Sequence, residues 1–221
     1  MRHLAQPRVL QLAVIASLLT TLACYPRLAL WPNRPQPLWY LEAVIFFCST
    51  FLWGFVFAWH THYARRPVLA LQIEPQLFGV ITLAGVVVAL IFHSFLDPVL
   101  RLKMPEDYPA DPGQWFAWVL FSLAFNQLFF VFAPFAWLIR LFQNRRVATV
   151  LTVLFGAFVL AIKIHATPTP VSNALFMALL AGRIATGFLA VAFYLRGGVL
   201  LNWWWTLLIE TRHLLDLTGN S

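Results

Sequence analysis

Apolar residues along this chain gather into long unbroken runs, not into the i, i+3, i+4 stripe of a helix with one wet face, and Pro, Arg and polar clusters separate the runs. The runs are Val9–Leu30, Leu38–Trp59, Leu77–Leu96, Trp115–Leu138, Val147–Ile164, Ala174–Leu195 and Val199–Leu217. Each comes close to the roughly 20 apolar residues that carry a helix across hydrocarbon. The pattern predicts an all-α, polytopic transmembrane helix bundle of about seven spans. The last run is interrupted by Glu210, Arg212 and His213, so it ends early or lies partly in the interface. Connections are short except for residues 97–114, where Lys103, Glu106, Asp107, Asp111 and four prolines form a polar extramembrane loop. The whole chain reads as one integral membrane domain: three spans over 1–96, the loop, and four spans over 115–217.

Composition removes the soluble alternative. Of 221 residues 61% are hydrophobic and 10% charged, against roughly 25% charged in a soluble domain. The formal charge of +7 is spread between apolar runs, which is a topology signal and not a nucleic-acid patch. In the seven-span arrangement Arg2, Arg8, Arg65, Arg66, Arg140, Arg145, Arg146 and Arg196 share one side, and Arg27, Arg34, Arg101, Lys103, Lys163 and Arg212 the other. The arginine-rich side is expected to be cytoplasmic, N-terminus in, in a bacterial inner membrane. The start of the chain, from Met1-Arg2-His3 to Cys24, has the outline of a secretory or lipoprotein signal, but Tyr25-Pro26 and Trp31 look like anchors of a span that stays. Trp39, Tyr40, Trp59, Trp115 and Trp118 read as an aromatic belt, whereas Trp203-Trp204-Trp205 lies inside the last run and is expected to pack on neighbouring helices.

Function must then be sought in polar side chains at membrane depth, each of which costs about 2.5–3.5 kcal/mol to insert if ionisable. They are Glu42, His93, Asn126, Gln127, His165, Arg183, Asn202, Glu210 and His213. Glu42 and His93 sit near span ends and read as boundary residues. Asn126 and Gln127 lie mid-span, where amides bond between helices or line a cavity. Arg183 has no acidic residue three or four positions away and needs a counter-charge from elsewhere; helix rise puts Glu210 at its depth, which predicts an Arg183–Glu210 pair.

The order Phe125-Asn126-Gln127-Leu128-Phe129-Phe130-Val131, the basic loop Arg140 to Arg146, a helix ending in His165, and Gly187 through Tyr194-Leu195-Arg196-Gly197-Gly198 resembles the C-terminal half of the CPBP family. That family comprises CAAX-processing intramembrane proteases and bacteriocin-processing proteins. It carries EExxxR, FxxxH and HxxxN or HxxxD motifs on successive helices, the first glutamate activating water. The resemblance covers about residues 115–217. It sets Asn126 and Gln127 at the paired glutamates, Val131 at the arginine, His165 at the second-motif histidine with Ala161 in place of its phenylalanine, and Thr206 and Glu210 near the last motif. His213 with Leu217 is an out-of-register substitute there. A carboxamide cannot accept the proton of an attacking water. The resemblance therefore implies a protease fold without its base, a non-catalytic protein that binds a membrane partner, peptide or lipid in an intramembrane cavity lined by Asn126, Gln127, Arg183, Asn202 and Thr206.

Two other readings stand beside it. One is an active intramembrane endopeptidase with a displaced catalytic site of His165, Glu210 and His213. The other is a membrane-anchored subunit or small transporter with Arg183, Asn126 and Gln127 along a polar path. Haem ligation by His93 and His165 finds no second histidine pair on a shared helix face. No nucleotide, phosphate or metal motif is present, so no cofactor is expected, and the bilayer is the one certain partner.

Overall fold

The computed structural model describes residues 6–31, 34–64, 67–69, 73–167 and 171–218, the side chains of 106, 216 and 218 excepted. Arg2, Arg65 and Arg66, three of the positions bearing on orientation, lie outside the described residues. Among those described there is no strand, and six helical segments are long and apolar enough to cross a membrane. They are α1 (Pro7–Ala29), α2 (Leu38–Ala64), α3 (Pro75–Lys103), α4 (Pro112–Phe142), α5 (Arg145–His165) and α6 (Asn173–Leu215). Large apolar side chains such as Leu22, Phe47, Leu83, Phe95, Phe158 and Met177 are each at least 60% exposed. Exposure of that kind on helix after helix suits lipid, not water. The chain is an integral membrane protein.

The expected sixth and seventh runs both lie in α6, as two legs that meet without a loop at Gly198, whose φ of 71 and ψ of −162 break the helix. That conformation is open essentially to glycine alone. The chain folds back on itself there: Phe193 and Trp205 rings lie 5.0 Å apart, whereas twelve residues of straight helix would separate them by about 18 Å. Beside it, a Cβ on Gly197 would meet the Leu201 Cβ at 2.6 Å, so the tight reversal needs both glycines. The Val199 N–H donates to the Val68 carbonyl at 3.3 Å, and His60 Nε2 lies 2.9 Å from the Tyr194 hydroxyl. These contacts tie the fold-back to the end of α2.

α4 is the central helix. Its Leu128, Phe132, Phe135 and Ala136 are buried, with Phe132 against Trp53 of α2 and Tyr194 of α6. The helix carries two wide π turns, Ser122–Asn126 and Leu128–Phe132, around Gln127. α4 ends on left-handed Gln143, and Asn144 caps α5 by accepting the Arg146 and Val147 N–H groups; this turn sets α5 antiparallel beside α4. α1 is bound to α2 by the Trp53 indole N–H, which donates to Thr20 at 3.0 Å. α3 lies on the second leg of α6: Trp204 donates to Thr82 at 2.9 Å and stacks on Phe78, and a Cβ on Gly85 would stand 2.8 Å from Leu208.

Candidate functional site

α4, α5 and both legs of α6 enclose a cavity of about 340 Å³, at the lower end of the range for ligand pockets. α4 contributes Ser122, Asn126 and Gln127; α5 contributes Thr152 and Lys163; the first leg of α6 contributes Arg183 and Thr186; the second contributes Thr206, Glu210 and Arg212. Phe92, Phe130, Val131, Val153, Val159 and Leu160 supply the apolar wall. Arg183 lies ten residues into α6, about 15 Å from its Asn173 end, so the cavity reaches well into the bundle.

The two amides behave differently. Gln127 accepts a hydrogen bond from the Asn202 amide at 2.7 Å. Asn202 is fully buried and is not on the cavity lining, where the sequence placed it, and its side-chain Oδ1 has no hydrogen-bond partner among the described residues. This is interhelical bonding between α4 and α6. The Asn126 side chain, in contrast, makes no hydrogen bond with any described residue and lines the cavity.

Among the described residues the Glu210 carboxylate is the one acid on the cavity lining. Its Oε1 accepts from the Ser122 hydroxyl at 3.0 Å, its Oε2 lies 3.9 Å from Arg212 Nη1 and 3.7 Å from His213 Nε2, and its carbonyl accepts the Trp115 indole N–H at 2.9 Å. The pair expected from depth alone does not form. Arg183 has no carboxylate within 4.0 Å among the described residues, and its guanidinium sits 4.7 Å over the Phe130 ring. Helix rise gave the depth correctly but not the direction in which each side chain leaves its helix.

His165 is not in the cavity. It is exposed at the end of α5, its Nδ1 2.8 Å from the Ala161 carbonyl and its ring against Phe176. His213 is buried on the far side of Glu210, edge-on to Tyr108. His165, Glu210 and His213 therefore do not form one constellation. Ser122, Glu210 and His213 do adjoin, but the carboxylate stands between hydroxyl and imidazole, the reverse of the nucleophile–base–orienter order that activates a serine.

Ion pairs and a hydrogen bond fasten the end of α3 and the segment after it to this end of the bundle. Arg212 Nε lies 3.2 Å from Asp97, which is 2% exposed; Tyr108 donates to the same carboxylate at 2.8 Å; Lys163 bonds Asp107 at the surface. Burial, then the Asp97 charge, pushes the Tyr108 phenol well above its ordinary value of 10.0. Arg145 and Arg196 border a separate pocket at the opposite end of α5.

Ser122, Thr152 and Gly156 were not singled out by sequence reasoning. Ser122 was findable as the residue one turn before Asn126; Gly156 gives no sign until α6 is laid beside it. No group of three or more His, Cys, Asp or Glu suited to a metal occurs among the described residues. Comparison with protein-family models, curated proteins and solved structures finds no match.

Proposed function

We propose that this protein is a CPBP-like membrane protein that no longer hydrolyses peptides and uses its intramembrane cavity to bind a ligand. One observation carries the reading: Asn126 and Gln127 from α4 meet Thr206 and Glu210 from α6 around a single cavity, the four positions that the resemblance aligns with the family's first and last motifs. Support also comes from α5. There the cavity-lining residue at FxxxH spacing is Val159, four after Phe155, so the register that assigned the histidine role to His165 moves to Val159. With amides for glutamates, Val131 for arginine, Val159 for histidine and Thr206 for histidine, the one aligned position that could take a proton from water is Glu210, whose carboxylate already accepts from Ser122.

In this reading both legs of α6 traverse the bilayer, which gives seven crossings with the N-terminus and Arg145–Arg196 end cytoplasmic in a bacterial inner membrane. The test is native mass spectrometry of protein released from mild detergent, with a membrane-peptide cleavage assay alongside. The wild type retains a small-molecule ligand, Gly156→Leu, which intrudes beside Arg183, loses it, and neither cleaves peptide. Cleavage by the wild type that is abolished by Glu210→Gln sinks the reading, as does an empty wild type indistinguishable from Gly156→Leu.

A further inference from the structure

The cavity holds a guanidinium that no carboxylate of the described residues reaches. Three cations line it, Lys163, Arg183 and Arg212. Lys163 is matched by Asp107 and Arg212 by Asp97. Glu210, the remaining carboxylate on the lining, is engaged by Ser122, Arg212 and His213. Arg183 has neither an acid nor a hydrogen-bond acceptor among the described residues.

The fold nevertheless makes room for its guanidinium. One face lies over Phe130 at 4.7 Å. On α5 a Cβ at Gly156 would stand 3.0 Å from Nη2 and 3.1 Å from Nε, so the absence of a side chain at 156 lets the group lie against the helix backbone. A planar fork of five N–H donors, walled by a ring and a glycine and opening onto a cavity, presents the geometry that takes an oxyanion in two parallel hydrogen bonds. Leaving such a charge unmatched at this depth is costly, and a fold with no use for it gains by replacing it with an apolar residue of similar size.

Resting on the binding-cavity reading above, we propose that Arg183 is the anchor for a phosphate group bound in this cavity, carried by an anionic lipid headgroup or present as the free ion. A cavity of about 340 Å³ is small for a ligand pocket, so it is matched to a headgroup, with any acyl chains lying along the lipid-facing helices. The Thr152, Thr186 and Thr206 hydroxyls on the same lining already donate to the Ala148, Gly182 and Asn202 carbonyls of their own helices, so the fork of Arg183 is the donor set that meets the anion.

The test is ligand-dependent thermal stabilisation of the full chain in neutral detergent with phosphatidylglycerol, diacylglycerol of the same acyl chains, and inorganic phosphate. Phosphatidylglycerol is expected to stabilise the wild type and diacylglycerol not; stabilisation by inorganic phosphate as well identifies the free ion as a sufficient ligand. Arg183→Met is expected to weaken phosphatidylglycerol binding about 10- to 100-fold, while melting no lower than the wild type without ligand. Arg183→Lys, which keeps charge and loses the fork, should fall between the two. Equal stabilisation by both lipids, both effects lost in Gly156→Leu, overturns the phosphate anchor and leaves the binding cavity standing. No stabilisation by any probe overturns both. An Arg183→Met protein that melts lower without ligand assigns Arg183 to the scaffold and overturns the proposal.

Discussion

Gly198 offers the sharpest test of the architecture, because the fold-back of α6 depends on one backbone conformation. At φ 71 and ψ −162 an added Cβ is strained by about 1–3 kcal/mol. The position is buried, and the next residue bonds Val68 across the bundle, so relaxing the torsion means giving up that contact. Gly198→Ala should therefore lower stability by about 1–3 kcal/mol, a factor of roughly 5 to 150 in the folded-to-unfolded ratio. For a chain of 150–250 residues that is about 2–4 °C per kcal/mol. Gly79→Ala is the internal control: it is helical, nothing lies within 4 Å of its Cβ position, and alanine is the better helix former by up to about 1 kcal/mol. Both variants would be followed by thermal unfolding in one detergent, with circular dichroism showing equal helix content at the start. If Gly198→Ala melts with or above Gly79→Ala, the chain does not turn at Gly198 and the packing of Trp205 on Phe193 needs another explanation.

Three further outcomes follow from the polar contacts. Gln127→Leu strips the fully buried Asn202 amide of its partner and should cost about 1–3 kcal/mol, most of it recovered in the Gln127→Leu, Asn202→Leu double variant, as a double-mutant cycle would read. Asp97→Asn breaks a buried pair with Arg212 and should cost about 3 kcal/mol, whereas Asp107→Asn at the exposed Lys163 pair should cost under about 1 kcal/mol and vanish at high salt; urea or SDS titration separates them. Because the Tyr108 phenol is raised in the folded state, it adds nothing to the pH dependence at neutral pH, and stability falls as pH climbs above the unfolded value near 10. Tyr108→Phe should flatten that alkaline limb of a Tm-against-pH curve.

Most of the helices were legible because a membrane span declares itself by length and apolarity. The second run, Leu38–Trp59, and the fifth, Val147–Ile164, differ from α2 and α5 by only a few residues at their ends. What the sequence did not reveal was azimuth. Rise per residue placed Glu210 level with Arg183, and both do line one cavity. Which way each side chain points depends on helix phase, and phase is reset by the Gly197-Gly198 reversal and by the two π turns of α4. The same blindness assigned His165 a role six residues along α5 from Val159, on a face that turns outward. Gly156 was illegible for another reason: its meaning lies wholly in a residue of another helix.

The depth of Arg183 has an electrical consequence. About 15 Å of helix separates it from the Asn173 end, half of a hydrocarbon layer about 30 Å thick. A whole charge carried across a membrane changes energy by about 2.3 kcal/mol per 100 mV. A monovalent anion brought to Arg183 across half that drop shifts by about 1.2 kcal/mol per 100 mV, close to eightfold in occupancy. Filling of this site would then follow the energised state of the membrane as well as ligand concentration, and the sign of that dependence would report which compartment the mouth of the cavity faces.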